Sequence, residues 1–220
     1  MCPRRAETAE RLSRSRVEHT YSRGHVLFHA GEPALSLHVI RSGRVRIFSR
    51  WRDGDEQVLR LLGPGEILGY RAVLAVEPYN ATAEAVVDTR ACIVPAETVR
   101  EMLREDPNLA MQMLEKLARE LRISEELMME LVHRPVGQRV ARLLLTLLET
   151  GAAPLPECEI SSREMTRRDM ARMVGTTPET MSRTLRRLAQ HGVLTVTREC
   201  VKIRDLDRLR HAAGEHTIAT

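Results

Sequence analysis

Residues 166–192 read TRRDMARMVGTTPETMSRTLRRLAQHG, two helix beginnings and two helix endings in one short stretch. Thr166 is a side-chain cap for a helix whose Met170, Met173 and Val174 share one face, with Ala171 small enough for a second helix to cross closely. Gly175 stops that helix. Thr177 then caps another, Pro178 takes the first helical position, where no N–H is needed, and Glu179 sits in the first turn, where the helix dipole favours negative charge. This second helix is expected from Pro178 to about Gln190, closed by Gly192. Two short helices joined by a glycine turn make a helix-turn-helix.

On the second helix Glu179, Ser182, Arg183 and Arg186 fall at i, i+3, i+4 and i+7 and share an outward face, while Met181, Leu185 and Leu188 anchor another side. The outward chemistry suits base edges. Arg183 can donate twice to guanine O6 and N7, Glu179 can accept from cytosine N4, and Ser182 can serve several edges. A charged helix face is also, commonly, a solvated surface held by i,i+4 ion pairs. The following chain favours the nucleic-acid reading. Val193 to Val196 and Val201 to Ile203, separated by Arg198-Glu199, form a candidate hairpin wing whose Arg198, Lys202 and Arg204 can meet phosphates. Thr166 and Thr177, at the two helix starts, complete the candidate DNA-binding set. The charge agrees: residues 163–210 hold twelve of the 34 Lys and Arg but only six of the 30 Asp and Glu, so the positive field sits where a polyanion would dock.

Working outward, Val136 to about Thr150 carries Val136, Val140, Leu143, Leu144 and Leu147 on one helical face and ends at Gly151. After Gly151 comes a loop or small strand over Cys158 to Ile160. Arg134-Pro135 breaks the preceding helix, since proline disfavours helical geometry in the residue before it, and marks a hinge. That helix runs from Pro107, capped by Asp106, to about His133 without an internal Gly or Pro. Leu114, Leu117, Leu121, Ser124, Met128 and Leu131 step by three and four, the seam of a two-stranded coiled coil, so a parallel homodimer is expected; packing of this stripe onto the N-terminal half is the alternative.

Before it, from about Val17 to Pro95, short aliphatic and β-branched runs (Val26 to Phe28, Leu35 to Ile40, Val45 to Trp51, Gln57 to Leu62, Ala81 to Val87, Ala91 to Val94) alternate with Gly24, Gly31, Gly43, Gly54, Gly63 and Gly65, the pattern of a small antiparallel barrel or roll. The expected class is α+β: a β-roll over residues 1–105, a dimerisation helix and hinge over 106–134, and a winged helix-turn-helix over 135–220.

Two motifs in register, Arg168 to Leu188 and Gly65-Glu66-Ile67-Leu68-Gly69, make the chain resemble the Crp/Fnr family of bacterial regulators. The first is similar to that family's helix-turn-helix and the second to the Gly-Glu-x-x-Gly cassette of its sensor roll. The resemblance implies sequence-specific binding to double-stranded DNA as a homodimer, with activation through RNA polymerase as the better expectation. Glu179, Ser182 and Arg183 match the Glu-x-x-Ser-Arg of the Fnr branch, which implies a palindrome of TTGA-like half-sites. Pro178 stands where the Crp branch has a further Arg. The resemblance also places a candidate effector pocket at Gly65, Glu66, Gly69, Arg71, Tyr79 and Asn80. The Arg-Ser pair with which the family holds a cyclic phosphate is replaced by Tyr79-Asn80. Cyclic-nucleotide control is therefore the alternative, ligand-independent control is open, and Glu66 is expected to serve a structural hydrogen bond.

Composition narrows the rest. Hydrophobic residues at 43% and charged residues at 29% describe an ordinary globular chain. No run approaches a membrane span and residues 1–16 have charges where a signal peptide needs an apolar core, so a cytoplasmic home is expected. Cys2, Cys92, Cys158 and Cys200 lie far apart, without a CxxC pair, and are expected to be reduced thiols rather than cluster ligands; Cys158 or Cys200 could serve as a redox thiol. His19, His25, His29 and His38 have no metal-ligand spacing. No GxxxxGK, G-x-S-x-G or HExxH occurs, so neither an enzyme nor a cofactor is expected.

Overall fold

The computed structural model describes residues 17–50, 56–149, 159–162 and 165–215. The alternating runs of the N-terminal half form antiparallel strands in two four-stranded sheets. One orders β1 (Val17–Tyr21), β8 (Thr89–Pro95), β3 (Ser36–Ser42) and β6 (Ile67–Leu68); the other orders β2 (Val26–Phe28), β7 (Thr82–Ala85), β4 (Val45–Arg50) and β5 (Glu56–Leu62). Strand β8 is central to the first, with Val17 and Leu37 opposite Ile93 and Val94; β7 is central to the second, with Val45 opposite Ala85. Phe28, Leu37, Ile40, Val45, Phe48, Ala83, Ala85, Ala91 and Val94 are buried. Alternation puts Ala83 and Ala85 on one face of β7, whereas Leu37 and Ile40, Val45 and Phe48, and Ala91 and Val94 stand three apart and so are buried from both faces of their strands. This is the antiparallel roll expected from the glycine-punctuated runs. Gly54 lies outside the described residues.

Three helices follow the strands or interrupt them: α1 (Tyr70–Ala75), α2 (Ala96–Glu105) and α3 (Pro107–His133). Asp106 caps α3 as its position before Pro107 requires, its Oδ1 accepting from the N–H groups of Asn108 (3.0 Å) and Leu109 (3.3 Å). Leu37, Tyr70, Val73, Val94, Ala96 and Val99 form a buried cluster against which Met113 and Leu117 of α3 pack.

The chain divides into two compact units, residues 1–49 with 63–126 and residues 50–62 with 127–220. In the second, α4 (Val136–Glu149) starts directly after the Arg134-Pro135 break and buries Val140, Ala141, Leu144 and Leu147. Around it lie α5 (Arg167–Met173), α6 (Pro178–Gln190), α7 (Leu206–Ala212) and a three-stranded antiparallel sheet ordered β10 (Leu194–Val196), β11 (Cys200–Ile203), β9 (Glu159–Ser161). Met165, Met170, Met181, Leu185 and Leu209, each at most 1% exposed, fill its core. Gly151 and Cys158, the expected helix stop and strand start, lie outside the described residues, as does Cys2; Cys92 is a buried free thiol and Cys200 a half-buried one. No helix among the described residues is long and apolar enough to cross a membrane.

Candidate nucleic-acid interface

The helix-turn-helix is built by its caps. Thr166 and Asp169 form a reciprocal capping box at the start of α5: the Thr166 hydroxyl accepts from the Asp169 N–H (3.1 Å), and the Asp169 carboxylate accepts from the Thr166 N–H (3.1 Å) and O–H (2.6 Å). At Gly175 the backbone turns left-handed, φ 64°, a conformation that any Cβ would strain. Thr177 is extended and its hydroxyl accepts from the Thr180 N–H at 3.2 Å, with Pro178 in the first turn. Helix α6 then buries Met181, Thr184 and Leu185. That leaves Thr177, Glu179, Arg183 and Arg186 exposed and Ser182 half-buried, on the side opposite the anchor.

No ion pair among the described residues ties Glu179 to Arg183 or Arg186, as one would on an ordinary solvated face. Among the described residues Arg183, Arg186 and Arg198 have no carboxylate partner, and Arg183 donates to the Thr180 hydroxyl (3.3 Å) rather than to Glu179, one turn away. Two guanidinium groups on α6 and one at the wing tip, without carboxylate partners among the described residues, make a positive field for a polyanion.

Beside α6 stands the wing. Strands β10 and β11 pair antiparallel with Thr195 opposite Lys202, and β9 adds a third strand on the far side of β11. At its tip the Thr197 hydroxyl accepts from the N–H groups of Glu199 (3.2 Å) and Cys200 (3.0 Å), which presents Arg198 to solvent; Lys202 is half-buried on β11. Arg167 donates to the Thr197 carbonyl (2.8 Å) and so ties the wing tip to the start of α5. Arg204 donates to the Thr195 hydroxyl at 2.9 Å. Between α6 and the wing runs an open groove of about 550 Å³ lined by Arg167, Ser182, Arg186, Thr195, Thr197 and Arg198. Of these groove residues the sequence named Ser182, Arg186 and Arg198 but not Arg167, whose signal was available: an arginine at the first position of α5, where the dipole disfavours it, has to find an acceptor elsewhere.

The candidate effector residues do not converge in the same way. Gly65 is an exposed left-handed turn, and Glu66 accepts from the Gly63 N–H at 2.6 Å, the structural hydrogen bond expected for it. Arg71 and Asn80 are exposed. Tyr79 is buried, its ring stacked on Phe28 at 3.9 Å between centroids and its hydroxyl donating to the Ser36 carbonyl. Gly69 lies beneath that ring, where a Cβ would come within 2.8 Å of it. His38, 3% exposed, tilts against Phe28 with its Nδ1 buried and unbonded, and burial, with the neighbouring His19 adding, lowers its pKa to about 4. His19, His25 and His29 are exposed, and no group of three or more potential metal ligands gathers among the described residues.

On α3 the expected seam divides. Leu114, Leu121 and Met128 are 58%, 62% and 67% exposed, together with Met111 and Val132. Ser124 is exposed and donates to the Glu120 carbonyl at 2.9 Å, and the side chain of Leu131 lies outside the described residues. Leu117 instead packs against the buried cluster of the roll, one helical turn after Met113, which does the same. It serves the alternative expected for this stripe, while Leu114, Leu121 and Met128 remain open.

Residues 18–106 match the family model of the cyclic nucleotide-binding domain, and residues 138–212 match that of the Crp-like helix-turn-helix domain. Over 193 residues, 88% of this chain and 86% of the relative, the chain is 30% identical to the CRP-like cAMP-activated global transcriptional regulator of Mycobacterium tuberculosis. It is also 30% identical to the fumarate and nitrate reduction regulatory protein of Escherichia coli K12 over 199 residues, 89% of this chain and 77% of that one. The solved structure of FixK2 from Bradyrhizobium japonicum, 26% identical, aligns with a TM-score of 0.77 over 90% of this chain and 96% of that one.

Proposed function

The chain belongs to the Crp/Fnr family of DNA-binding transcription regulators, and from that premise we propose that it acts as a homodimer on a palindromic site with TTGA-like half-sites and activates transcription in contact with RNA polymerase. The observation that carries the reading is the exposed face of α6, where Glu179, Ser182 and Arg183 stand clear of any ion pair between them. Glu179 and Arg183 read base edges; Thr166, Thr177, Arg186, Arg198 and Lys202 meet the backbone. Leu114, Leu121 and Met128 join two copies through α3. In this scheme residues 1–105 are the sensor roll, 106–134 the dimerisation helix and hinge, and 135–220 the DNA-binding domain, working in the cytoplasm.

Control in this reading does not need a cyclic nucleotide. Tyr79 and Asn80 offer no guanidinium to a cyclic phosphate, and the Tyr79 ring is spent on Phe28 and Gly69. A cyclic-nucleotide-responsive regulator of the same fold is the second reading, favoured by the domain match over residues 18–106. Calorimetric titration with cyclic AMP and cyclic GMP separates the two: saturable micromolar binding selects the second. Selection of sites from random duplex DNA by the ligand-free protein tests the main reading. Enrichment of a two-fold symmetric TTGA-containing sequence is expected, and a pool that stays unenriched overturns it.

A further inference from the structure

We infer that Thr180 is a positioning residue for Arg183, holding the guanidinium on the exposed face of α6 before DNA arrives. The inference rests on the DNA-binding reading above. Thr177, Thr180 and Arg183 lie three residues apart along one line of the helix, and their side chains form a chain. The Thr177 hydroxyl donates to Thr180 Oγ1 at 3.1 Å while accepting from the Thr180 N–H at 3.2 Å, and Arg183 Nη2 donates to the same Thr180 Oγ1 at 3.3 Å. Thr180 Oγ1 thus accepts from both sides, and the cap that starts the helix also orients the hydroxyl that receives the arginine.

The consequence for recognition follows from what Arg183 lacks. No carboxylate holds it among the described residues, so the hydroxyl is its one side-chain hydrogen-bond partner there. A neutral acceptor restrains the guanidinium without neutralising it and uses one of its five N–H donors, leaving the others for guanine O6 and N7. An arginine has several rotatable bonds whose freedom is lost on docking, and restraining them beforehand lowers that loss only on the sequence that the arginine reads. Thr180 therefore acts on discrimination rather than on overall affinity.

The test uses the full-length protein, the selected duplex and a scrambled duplex of equal length, with binding read by fluorescence anisotropy. Thr180→Val keeps the shape and the β-branching and removes the acceptor; Thr180→Ala guards against a packing defect, and Thr180→Ser restores the hydroxyl. The Val and Ala variants are expected to lower the ratio of selected to scrambled affinity by about three- to tenfold, with scrambled binding and melting temperature unchanged, and the Ser variant to recover wild-type discrimination. In an Arg183→Ala background Thr180→Val is expected to have no further effect. Equal weakening on both duplexes would mean that the hydroxyl itself meets a phosphate, and an unchanged ratio, or a full additional loss without Arg183, would equally overturn the coupling. If Arg183→Ala alone left the ratio untouched, the base-reading role of α6 would fail first and this inference with it.

Discussion

Single side chains carry two separable effects. Arg183 is exposed, has no carboxylate partner among the described residues and is held by one hydroxyl, so truncation is expected to remove the proposed base contacts and little else. Arg183→Ala is expected to lose about 1 to 3 kcal/mol on the selected site and to relax the preference for guanine at one position; titration of all four substitutions at that position shows it. His38 acts on stability instead. Its pKa is lowered to about 4 by burial and by His19, against 6.5 for the unperturbed group, so the unfolded chain takes up a proton that the folded roll refuses. Stability is therefore fully present above pH 6.5 and falls as the pH drops toward 4, by roughly 3 kcal/mol over that window. Urea midpoints at pH 7 and pH 4.5 measure the drop, and His38→Phe is expected to shrink it.

At the scale of elements, the wing and the long helix make opposite kinds of contribution. Lys202 lies half-buried on β11, and in the proposed interface it meets phosphate rather than a base edge. Lys202→Ala is expected to weaken selected and scrambled duplexes alike and to make the salt slope shallower by about 1; a selective loss on the cognate site would move the wing into the role of base reader. Helix α3 exposes Leu114, Leu121 and Met128 while Leu117 and Met113 hold the roll. If the proposed dimer forms through this side, a charge placed there is expected to disrupt association without disturbing the fold. Leu121→Glu is expected to sediment as a monomer with the far-ultraviolet spectrum of the wild type, and a dimer of undiminished affinity would place the interface elsewhere.

For the whole molecule the geometric claim is symmetry. In the proposed dimer, two copies joined through α3 are expected to present two α6 helices about one DNA turn, or ~34 Å, apart. Insertion of five base pairs between half-sites turns one of them to the opposite side of the duplex. Binding is expected to fall to the level of a single half-site, while insertion of a full turn recovers part of it; indifference to spacing would remove the dimer from the reading.

Sequence alone determined the elements whose signals are local. Caps, glycines and prolines within a few residues of one another bounded α6 at Pro178 and Gln190 and ended α3 before Pro135, because a cap acts through the backbone groups of its own first turn. The tertiary structure decided what depends on distant partners. Strand β6 has two residues and exists through Val39 and His38; β9 exists through β11; neither has enough length for a periodicity of its own. Helix α7 did carry a local signal, Asp205, whose carboxylate accepts from the Arg208 N–H at 2.9 Å, though the seven residues after it are short for a hydrophobic pattern. Which way Leu117 faces and where the Tyr79 ring goes belong to the same class. A period of three and four residues marks a stripe without saying what covers it, and only the packed roll chose Leu117 for its own core and Tyr79 for the space against Gly69.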